Sequence, residues 1–576
     1  MRRTRARARD TLAGMSVDPT VPAGGERPPR PSATLVVVRD GARGLEVLLS
    51  RRAERGDHNS GAWVFPGGLL DAGDRAAHGC CAGLDDAGAS ARLGVEAHGL
   101  DYYVAAVREC FEESGLLFAL DANGALLELD AELAERIAPW RRALHRGERT
   151  LLELCEAFGL RLAVDRLAYL SHWITPPIRP KRFDTRFFVA QAPHQQTALH
   201  DGTEMVEQLW LRPAEALAER ASLKLLTPTQ KTLELLGRHE RVASVLAWAG
   251  APGRRVMLTV PRIGLGREGP RPVIPEEPAW AELGKLDPQG RGDAWCEIRP
   301  GAAVRLSPRV IRVTADNGSV MTGPGTNTYL VGGGDANEWA AIDPGPRSSA
   351  HVDAILAAAP GPIRWIFATH THLDHSPATA ELRARTGARV HGRLPAHREW
   401  QDETFAPDVS LVGGERIALP GETTLRVLHT PGHASNHLCY LLEEERMLFT
   451  GDHLMQLSTV VINPPDGDMA AYLASLRALL DEEHIEWLAP GHGFLMAEPR
   501  RVIEGVIAHR LKREAKVVEA LRAQPAATAD ALLPVVYDDV PPRMHPIALR
   551  SLNAHLDKLR RDGAAREREG RWALST

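Results

Sequence analysis

The sequence predicts a multidomain α/β protein, and three observations support this fold class. At 576 residues, the chain is too long for one ordinary hydrophobic core. Two regions of mixed α/β pattern, 33–245 and 303–505, flank a segment rich in Gly and Pro, 246–302, which we expect to be a linker. A third region, 506–576, combines three helical patterns with a short hairpin and is typical of a small α+β winged-helix domain.

Composition narrows the class of protein and its compartment. The hydrophobic fraction is 44% and the charged fraction is 25%, as in globular proteins. The sequence contains no run of about 18 apolar residues, so we expect neither a membrane-spanning helix nor a membrane partner. The net charge of −5 is small and argues against general coating of nucleic acid. The six cysteines show no C-x-x-C pair, so we expect a cytoplasmic protein. We expect the arginine-rich start, 1–32, to be a disordered basic tail rather than a transit peptide.

The N-terminal region contains a cluster of carboxylates. After a predicted hairpin, "ATLVVVRD" and "LEVLLSRR", and a strand and turn, "WVFPGGLLDAGD", the chain reads "VRECFEESGLL". Glu109, Glu112 and Glu113 stand at i, i+3 and i+4, so a helix would bring them onto one face. Carboxylates packed together repel one another, and a hard divalent cation such as Mg²⁺ or Mn²⁺ relieves that repulsion.

This region resembles the Nudix hydrolases, whose box reads G-x5-E-x7-R-E-U-x-E-E-x-G-U. The residues that match are Gly68, Arg108, Glu109, Glu112, Glu113 and Gly115. Asp74 replaces the first glutamate, and 33 residues, 75–107, stand where seven are usual. That insertion, with "TPPIRPKRFDTRFF" after it, is similar to the subgroup related to the coenzyme A diphosphatases, and the resemblance covers about 33–240.

The Nudix resemblance implies an α/β/α sandwich that binds Mg²⁺ or Mn²⁺ and cleaves a diphosphate in a nucleoside diphosphate derivative or coenzyme A. It implies that Glu109, Glu112 and Glu113 are ligands, with Glu112 and Glu113 also catalytic, and that Arg108 orients their carboxylates. Glu204 and Glu207 are weaker candidates for a further carboxylate. The altered first half of the box leaves a second interpretation, a non-catalytic domain that binds a nucleotide.

A second cluster lies in "FATHTHLDHSPA", which holds His370, His372, Asp374 and His375 within six positions. The surrounding pattern predicts a strand, a loop that carries the cluster, and a helix. Imidazole combined with carboxylate suits zinc, iron or manganese better than magnesium. Further ligand types follow predicted strands downstream, in "PGH", "GD" and "GHG": His433, Asp452 and His492.

The ordered set H-x-H-x-D-H, PGH, GD and GHG resembles the metallo-β-lactamase fold, an αββα sandwich. The resemblance implies two Zn²⁺ or similar transition-metal ions. It implies that the first ion is held by His370, His372 and His433, that the second is held by Asp374, His375 and His492, and that Asp452 bridges them. Asp374 is also a candidate catalytic residue. His437 and His453 are weaker candidates for a direct role, and His429 is expected to be structural.

A closer resemblance is to the lactamase-β-2 type, which carries a C-terminal winged helix. This resemblance rests on "GPGTNTYLVGGG", "AAIDPGP" and the helical tail, and it covers about 303–576. Together the two resemblances imply a bifunctional metal-dependent hydrolase. A thioester, a lactone or other ester, or a phosphodiester remains open as the substrate of the C-terminal site. RNA is an alternative partner, although the net charge of +4 over 506–576 is modest and we favour packing of the winged helix on its own catalytic domain. The oligomeric state is not predicted.

Overall fold

The structure is a computed structural model that describes residues 28–54, 60–220, 222–335, 337–456 and 459–575. The predicted basic tail lies outside the described residues up to residue 27, and its last residues begin the first strand at Arg30. No helix in these described ranges combines the length and the apolar character needed to span a bilayer. The chain divides into two compact units, Met1–Pro261 and Arg262–Thr576.

The first unit is an α/β domain. Its strands in the described residues are β1 (Arg30–Gly41), β2 (Gly44–Arg52), β3 (Trp63–Val64), β4 (Gly67–Leu69), β5 (Ala119–Leu120), β6 (Arg161–Leu162), β7 (Ala168–Ile174), β8 (Phe183–Gln191), β9 (Met205–Leu211) and β10 (Leu258–Thr259). Its described helices are α1 (Ala72–Ala76), α2 (Asp86–Leu93), α3 (Gly99–Ser114), α4 (Ala131–His145), α5 (Leu151–Phe158), α6 (Pro213–Ala218), α7 (Thr227–Leu236) and α8 (Val242–Ala249).

The main sheet of this unit has the order β10-β7-β8-β1-β2-β3, with β4 paired to β1 and β9 paired to β2. The predicted hairpin is confirmed, because β1 and β2 pair antiparallel through a tight turn. Helix α3 packs Tyr103, Val107 and Phe111 into the main core of the unit. The long insertion in the box is folded rather than looped out: it contributes α2, whose Ala89 and Leu93 join the same core.

The second unit begins with a hairpin and a helix and ends in a small helical domain. Its described strands are β11 (Arg262–Gly266), β12 (Gly269–Val273), β13 (Ala303–Arg305), β14 (Val310–Thr314), β15 (Asn327–Gly333), β16 (Glu338–Ile342), β17 (Ile363–Phe367), β18 (Arg389–Gly392), β19 (Val409–Ser410), β20 (Arg416–Leu419), β21 (Thr423–His429), β22 (Leu438–Leu442), β23 (Met447–Gly451), β24 (Trp487–Pro490), β25 (Ala527–Thr528), β26 (Ala565–Arg568) and β27 (Arg571–Leu574). Its described helices are α9 (Ala279–Leu286), α10 (Ser349–Ala358), α11 (Thr379–Thr386), α12 (Met469–Leu480), α13 (Pro499–Ala523), α14 (Ala529–Val536) and α15 (His545–Arg561).

Two sheets form the centre of this unit. One runs in order from β13 to β19 and the other from β20 to β24. Their inner faces share one core, in which Tyr329 lies 5.0 Å from Phe449 and Phe367 lies 5.3 Å from Tyr440 between ring centroids. The outer face of the first sheet is covered by α10 and α11, and that of the second by α12 and α13. The predicted αββα sandwich is therefore present.

The segment predicted as a linker is folded in the structure: its start contributes to α8 and β10 of the first unit, and the residues from Arg262 on fold with the second unit. Strands β11 and β12 form a hairpin, and α9 packs Ala279 and Leu283 in a small core with Phe494. Glu282 of α9 forms a fully buried ion pair with Arg312 of β14, at 2.6 and 2.9 Å. Removing either partner of such a pair would strand a buried charge, so the residues from Arg262 on are an integral part of the second unit.

The winged-helix pattern is confirmed. Helix α13 extends from the sandwich into the small domain, where Val517 and Leu521 pack against α14 and α15. Thr528 caps α14 by accepting a hydrogen bond from the backbone N–H of Ala531. Gly563, with φ of +75°, follows the end of α15. Strands β26 and β27 form the predicted hairpin.

Candidate active sites

Helix α3 presents the carboxylate cluster of the first unit. Glu112 and Glu113 are buried and Glu109 is largely so, because the same helix face packs against the sheet. Arg108 stands beside them and donates to the fully buried Asp74 at 2.7 and 3.1 Å, and to Glu109 at 2.8 Å. Asp74, the departure from the usual box, thus contacts the arginine of the box despite its shorter side chain.

The glycines of "VFPGG" shape the floor of this cluster. The backbone N–H of Gly67 donates to Glu113 at 3.0 Å. A Cβ on Gly68 would lie 2.4 Å from a carboxylate oxygen of Glu109, so a larger residue there would displace that carboxylate. The turn therefore both binds and accommodates the carboxylates that α3 presents.

Burial and mutual repulsion perturb this cluster electrostatically. Burial, with the neighbouring Glu109 charge, raises the pKa of Glu112 to about 7 and raises the pKa of Glu113 well above its usual range. The charge of Glu204 also raises the pKa of Glu109 and of Glu113, which places Glu204 near the cluster. Glu207 instead pairs with Arg51 at the surface, at 2.9 Å. A bound divalent cation would offset the repulsion between these carboxylates, which contributes to their raised pKa values.

The second cluster forms where strands of both sheets end. His370, His372, Asp374 and His375 follow β17, and His433 lies on the turn between β21 and β22. Asp452 follows β23, and His492 follows β24. Within the described residues these seven side chains form two groups that can hold metal ions, each with its ligand atoms within 4.8 Å of one another: His370, His372 and His433; and Asp374, His375, Asp452 and His492. The glutamates of α3 form no such group in the described chain.

Asp452 faces both groups. Its Oδ1 lies 3.3 Å from Nε2 of His375 and 3.3 Å from Nε2 of His492. Its Oδ2 lies 3.8 Å from Nε2 of His433. A Cβ on Gly491 would lie 2.7 Å from Asp452 Oδ1 and 2.8 Å from His375, so a glycine is required beside this carboxylate.

Hydrogen bonds behind the histidines orient the rings. Nδ1 of His375 lies 2.9 Å from Asp343, Nδ1 of His433 lies 2.8 Å from the carbonyl of Val461, and Nδ1 of His492 lies 3.2 Å from that of Gly325. Donation from each Nδ1–H leaves the lone pair on Nε2, facing the cluster. Sequence reasoning missed Asp343, although it directly follows β16, at the sheet edge where the ligand-type residues collect.

The donor set fits a pair of transition-metal ions. Nε2 of His370, His375 and His492 and Oδ1 of Asp452 are buried, and no hydrogen bond reaches them within the described structure. Burial opposes the ionisation of Asp452, but His492 and His375 outweigh it and hold the pKa of that carboxyl well below its usual range. Burial opposes protonation of His492, but Asp452 and Asp374 outweigh it and raise the pKa of that ring to about 9. Bound cations would satisfy the orphaned nitrogens and the carboxylates together.

A cavity of about 550 Å³ opens onto both groups. His372, Asp374, His433 and Asp452 line it. The rest of its wall is mostly apolar, and Val320, Met321, Leu373 and Trp400 remain exposed at its margin. Residues of α13, of the segment that follows α14 and of α15 complete the wall, so the winged helix forms part of the cavity.

Three further histidines considered in the sequence analysis, His429, His437 and His453, lie in different settings. His437 and His453 are fully buried, and the His437 ring stacks on His370 at 5.0 Å between centroids. His429 lies on the end of β21 with its Nε2 at 3.2 Å from the carbonyl of Ser435. None of the three lines the cavity.

Comparison with protein families matches these two sites and the small domain in chain order. A family model described as the NUDT19 Nudix domain matches residues 94–235. Residues 321–492 match the metallo-beta-lactamase superfamily, and residues 528–572 match the beta-lactamase associated winged helix domain. The chain belongs to the metallo-beta-lactamase superfamily, with a Nudix domain fused ahead of it. Both domains belong to hydrolase families, and the protein is a hydrolase.

Individual relatives are similar to parts of this fusion. A beta-lactamase-like protein 2 homolog of Drosophila melanogaster is 31% identical over 46% of this chain and 92% of its own. An atrochrysone carboxyl ACP thioesterase of Claviceps purpurea (strain 20.1) is 28% identical over 41% of this chain and 74% of its own. A crystal structure of a Nudix hydrolase from Alicyclobacillus acidocaldarius is 28% identical, covers 39% of this chain and 97% of that protein, and has a TM-score of 0.33.

Proposed function

We propose that the C-terminal unit hydrolyses an acyl thioester or ester with two bound transition-metal ions such as Zn²⁺. The observation that carries the proposal is the convergence of two ligand groups on the wall of a mostly apolar cavity of about 550 Å³. Such a cavity suits the acyl or aromatic part of a small substrate. The Claviceps relative, which is named as an acyl-carrier-protein thioesterase, supports the thioester class.

In this proposal each ligand group would hold one ion, and Asp452, whose oxygens face histidines of both groups, would serve both. The ligands of the first are His370, His372 and His433, and those of the second are Asp374, His375 and His492. Two bound cations would supply hydroxide near neutral pH and polarise the substrate carbonyl.

The chain's own residues orient the reactants. Asp374 lines the cavity, and the pKa of its carboxyl is lowered to about 2 because His375 and His492 outweigh burial, so it is ionised at neutral pH. It would therefore accept a hydrogen bond from the attacking water and orient it toward the carbonyl. The exposed apolar margin, which includes Met321 and Trp400, would bind the acyl group and exclude bulk water.

We propose that the Nudix domain cleaves the diphosphate of a nucleoside diphosphate derivative or of coenzyme A. Glu109, Glu112 and Glu113 would hold Mg²⁺ or Mn²⁺, which neutralises charge on the diphosphate. Arg108 orients these carboxylates through its contacts with Asp74 and Glu109. Glu112, whose pKa is raised to about 7 mainly by burial, is partly ionised at neutral pH and would accept a proton from an attacking water.

One observation favours a second candidate for the C-terminal site, cleavage of single-stranded RNA beside a non-catalytic Nudix domain. Trp400 is 60% exposed at the margin of the cavity, and the Arg550 guanidinium lies 5.3 Å from its ring centroid. An exposed aromatic ring with a neighbouring cation can stack a nucleic-acid base. The apolar wall of the cavity argues for the acyl substrate instead.

The test is an activity screen of the full-length, metal-loaded protein. The panel holds coenzyme A, acyl-coenzyme A, acylated glutathione and a short single-stranded RNA. Release of free thiol reports the C-terminal site, and release of adenosine 3′,5′-bisphosphate from coenzyme A reports the Nudix site. Thiol release that disappears after chelation supports the thioesterase proposal, whereas RNA cleavage without thiol release would replace it with the second candidate.

A further inference from the structure

The winged-helix end of the second unit places buried polar side chains on the cavity wall. Arg510 and Arg513 of α13 are 3% and 6% exposed, and Tyr537, just after α14, is 6% exposed. All three line the same cavity as His372 and Asp452. Polar side chains this deeply buried require partners of matching chemistry.

The two guanidinium groups differ in how their charge is balanced. Arg513 donates to both carboxylate oxygens of Asp539, at 2.7 and 3.0 Å. Arg510 has no carboxylate partner within the described residues; it donates to the carbonyl of Val460 and lies 5.5 Å from the ring centroid of Tyr472. A buried guanidinium without a directly paired carboxylate is costly, and an anion bound beside Arg510 would offset that cost.

Two unsatisfied atoms of this wall can donate a hydrogen bond, and a third, Nδ1 of His509, can donate or accept according to its tautomer. Nε of Arg510 and Oη of Tyr537 are buried and reach no partner within the described structure. An anionic group with more than one oxygen, such as a carboxylate or a phosphate, would accept from these donors and would also balance the guanidinium charge. Water could satisfy the hydroxyl, but it would leave the charge of Arg510 without a counter-ion.

We propose that Arg510 and Tyr537 form an anion subsite that binds a carboxylate or phosphate of the substrate while its acyl carbonyl lies at the metal groups. This inference rests on the proposed thioester hydrolysis and names its substrate class, a thioester with a second, anionic group. The anion is either a carboxylate on the acyl chain or a phosphate on the thiol carrier.

Four thioesters tested with the metal-loaded, full-length protein separate these sources: butyryl and succinyl thioesters, each of coenzyme A and of N-acetylcysteamine. An acyl-side anion gives a higher kcat/KM for succinyl than for butyryl with both carriers. A carrier-side anion gives a higher kcat/KM for coenzyme A than for N-acetylcysteamine with both acyl groups. Equal kcat/KM for all four thioesters would overturn the inference and leave the thioesterase proposal standing.

Tyr537→Phe removes only the hydroxyl and keeps the ring in place. We expect it to lower about tenfold the ratio of kcat/KM for the preferred thioester to kcat/KM for the disfavoured one, as for loss of a hydrogen bond to a charged group. Val535→Ala, on the exposed side of α14, is the control and should keep the wild-type ratio. An unchanged ratio in Tyr537→Phe would also overturn the subsite.

A binding measurement separates the subsite from catalysis. Calorimetric titration of succinate and of inorganic phosphate into the metal-loaded protein should show about tenfold weaker binding of the favoured anion to Tyr537→Phe. Arg510→Gln should also weaken binding of the favoured anion. The metal content of this variant is measured as well, because Arg510 donates to the carbonyl of Val460, and the next carbonyl, that of Val461, bonds to His433. If no thioester is hydrolysed, the proposed function is wrong. The anion titration still tests the subsite in that case, and equal anion affinity in the wild type and in Tyr537→Phe would reject it.

Discussion

Asp343 accepts a hydrogen bond from Nδ1 of His375 at 2.9 Å, so that Nε2 of that ring faces Asp452. The same carboxylate oxygen accepts from the hydroxyl of Thr369 at 2.7 Å, and that hydroxyl lies 3.0 Å from Nδ1 of His370. Asp343 therefore stands behind one histidine of each ligand group and orients both rings at once.

Asp343→Asn should weaken metal binding at the C-terminal site. The amide keeps the shape but replaces one acceptor oxygen by an NH₂ group that cannot accept from His375 or Thr369. Loss of such an outer partner costs about 10–100-fold in metal affinity, measured by competition with a chelator. Asp353→Asn, at an exposed surface pair with Arg385, is the matched control. Equal metal affinity in the two variants would contradict the positioning role.

Asp452→Asn should remove one of the two ions. The substitution deletes the negative charge that lets two dications lie side by side, so metal content should fall from about two toward one per chain. Elemental analysis of the purified protein gives the stoichiometry directly. Asp481→Asn, at the exposed end of α12, should retain both ions. Full stoichiometry with full activity in Asp452→Asn would refute the bridging role.

Gly491→Ala should disturb the same site by volume alone. The added methyl would lie 2.7 Å from Asp452 Oδ1 and 2.8 Å from His375, closer than van der Waals contact allows. We expect lower metal content and lower thiol release, because both side chains must move. Gly505→Ala, on α13 with no heavy atom within 4 Å of the new carbon, controls for the loss of a glycine. Identical behaviour of the two variants would show that the site tolerates the methyl.

The sequence predicted the seven ligand-type residues because each follows a strand, and motif order is local information. It predicted the helices of the tail for the same reason, since caps such as Thr528 act within one turn. It could not predict that Arg510 and Tyr537 would line the cavity of the metal groups, because that depends on how α13 and α14 pack against distant strands. The sequence did not predict that the linker is folded, because its Gly- and Pro-rich pattern is typical of irregular structure. The ion pair of Glu282 with Arg312 joins residues 30 positions apart and is not visible in a local pattern.

Asp74→Asn should destabilise the Nudix unit. Asp74 is fully buried and is bound to Arg108 through both oxygens, so neutralising it leaves a largely buried guanidinium with weaker compensation from Glu109. We expect a loss of about 3 kcal/mol in the free energy of unfolding of this unit, measured by denaturant titration. Glu46→Gln breaks the exposed pair with Arg39 and should cost less than about 1 kcal/mol. Equal small losses would mean that the buried pair is not a stabilising contact.

Glu112→Gln tests whether the Nudix domain is a live enzyme. The change removes one negative charge from α3 with almost no change in volume, and because burial already raises the pKa of Glu112 to about 7, the neutral side chain should be accommodated without unfolding. Diphosphate cleavage with Mg²⁺ or Mn²⁺ should nevertheless fall by about 100-fold or more, since both a ligand and a proton acceptor are lost.

Glu135→Gln, on the exposed face of α4, is the matched control, and thiol release from the C-terminal site of the same chain reports that the protein is intact. Diphosphate cleavage that survives in Glu112→Gln at the wild-type rate would remove this helix from the active site. A wild-type protein that binds nucleotide but cleaves no diphosphate would instead favour the non-catalytic role for the domain, because the altered first half of the box would then keep binding while losing cleavage.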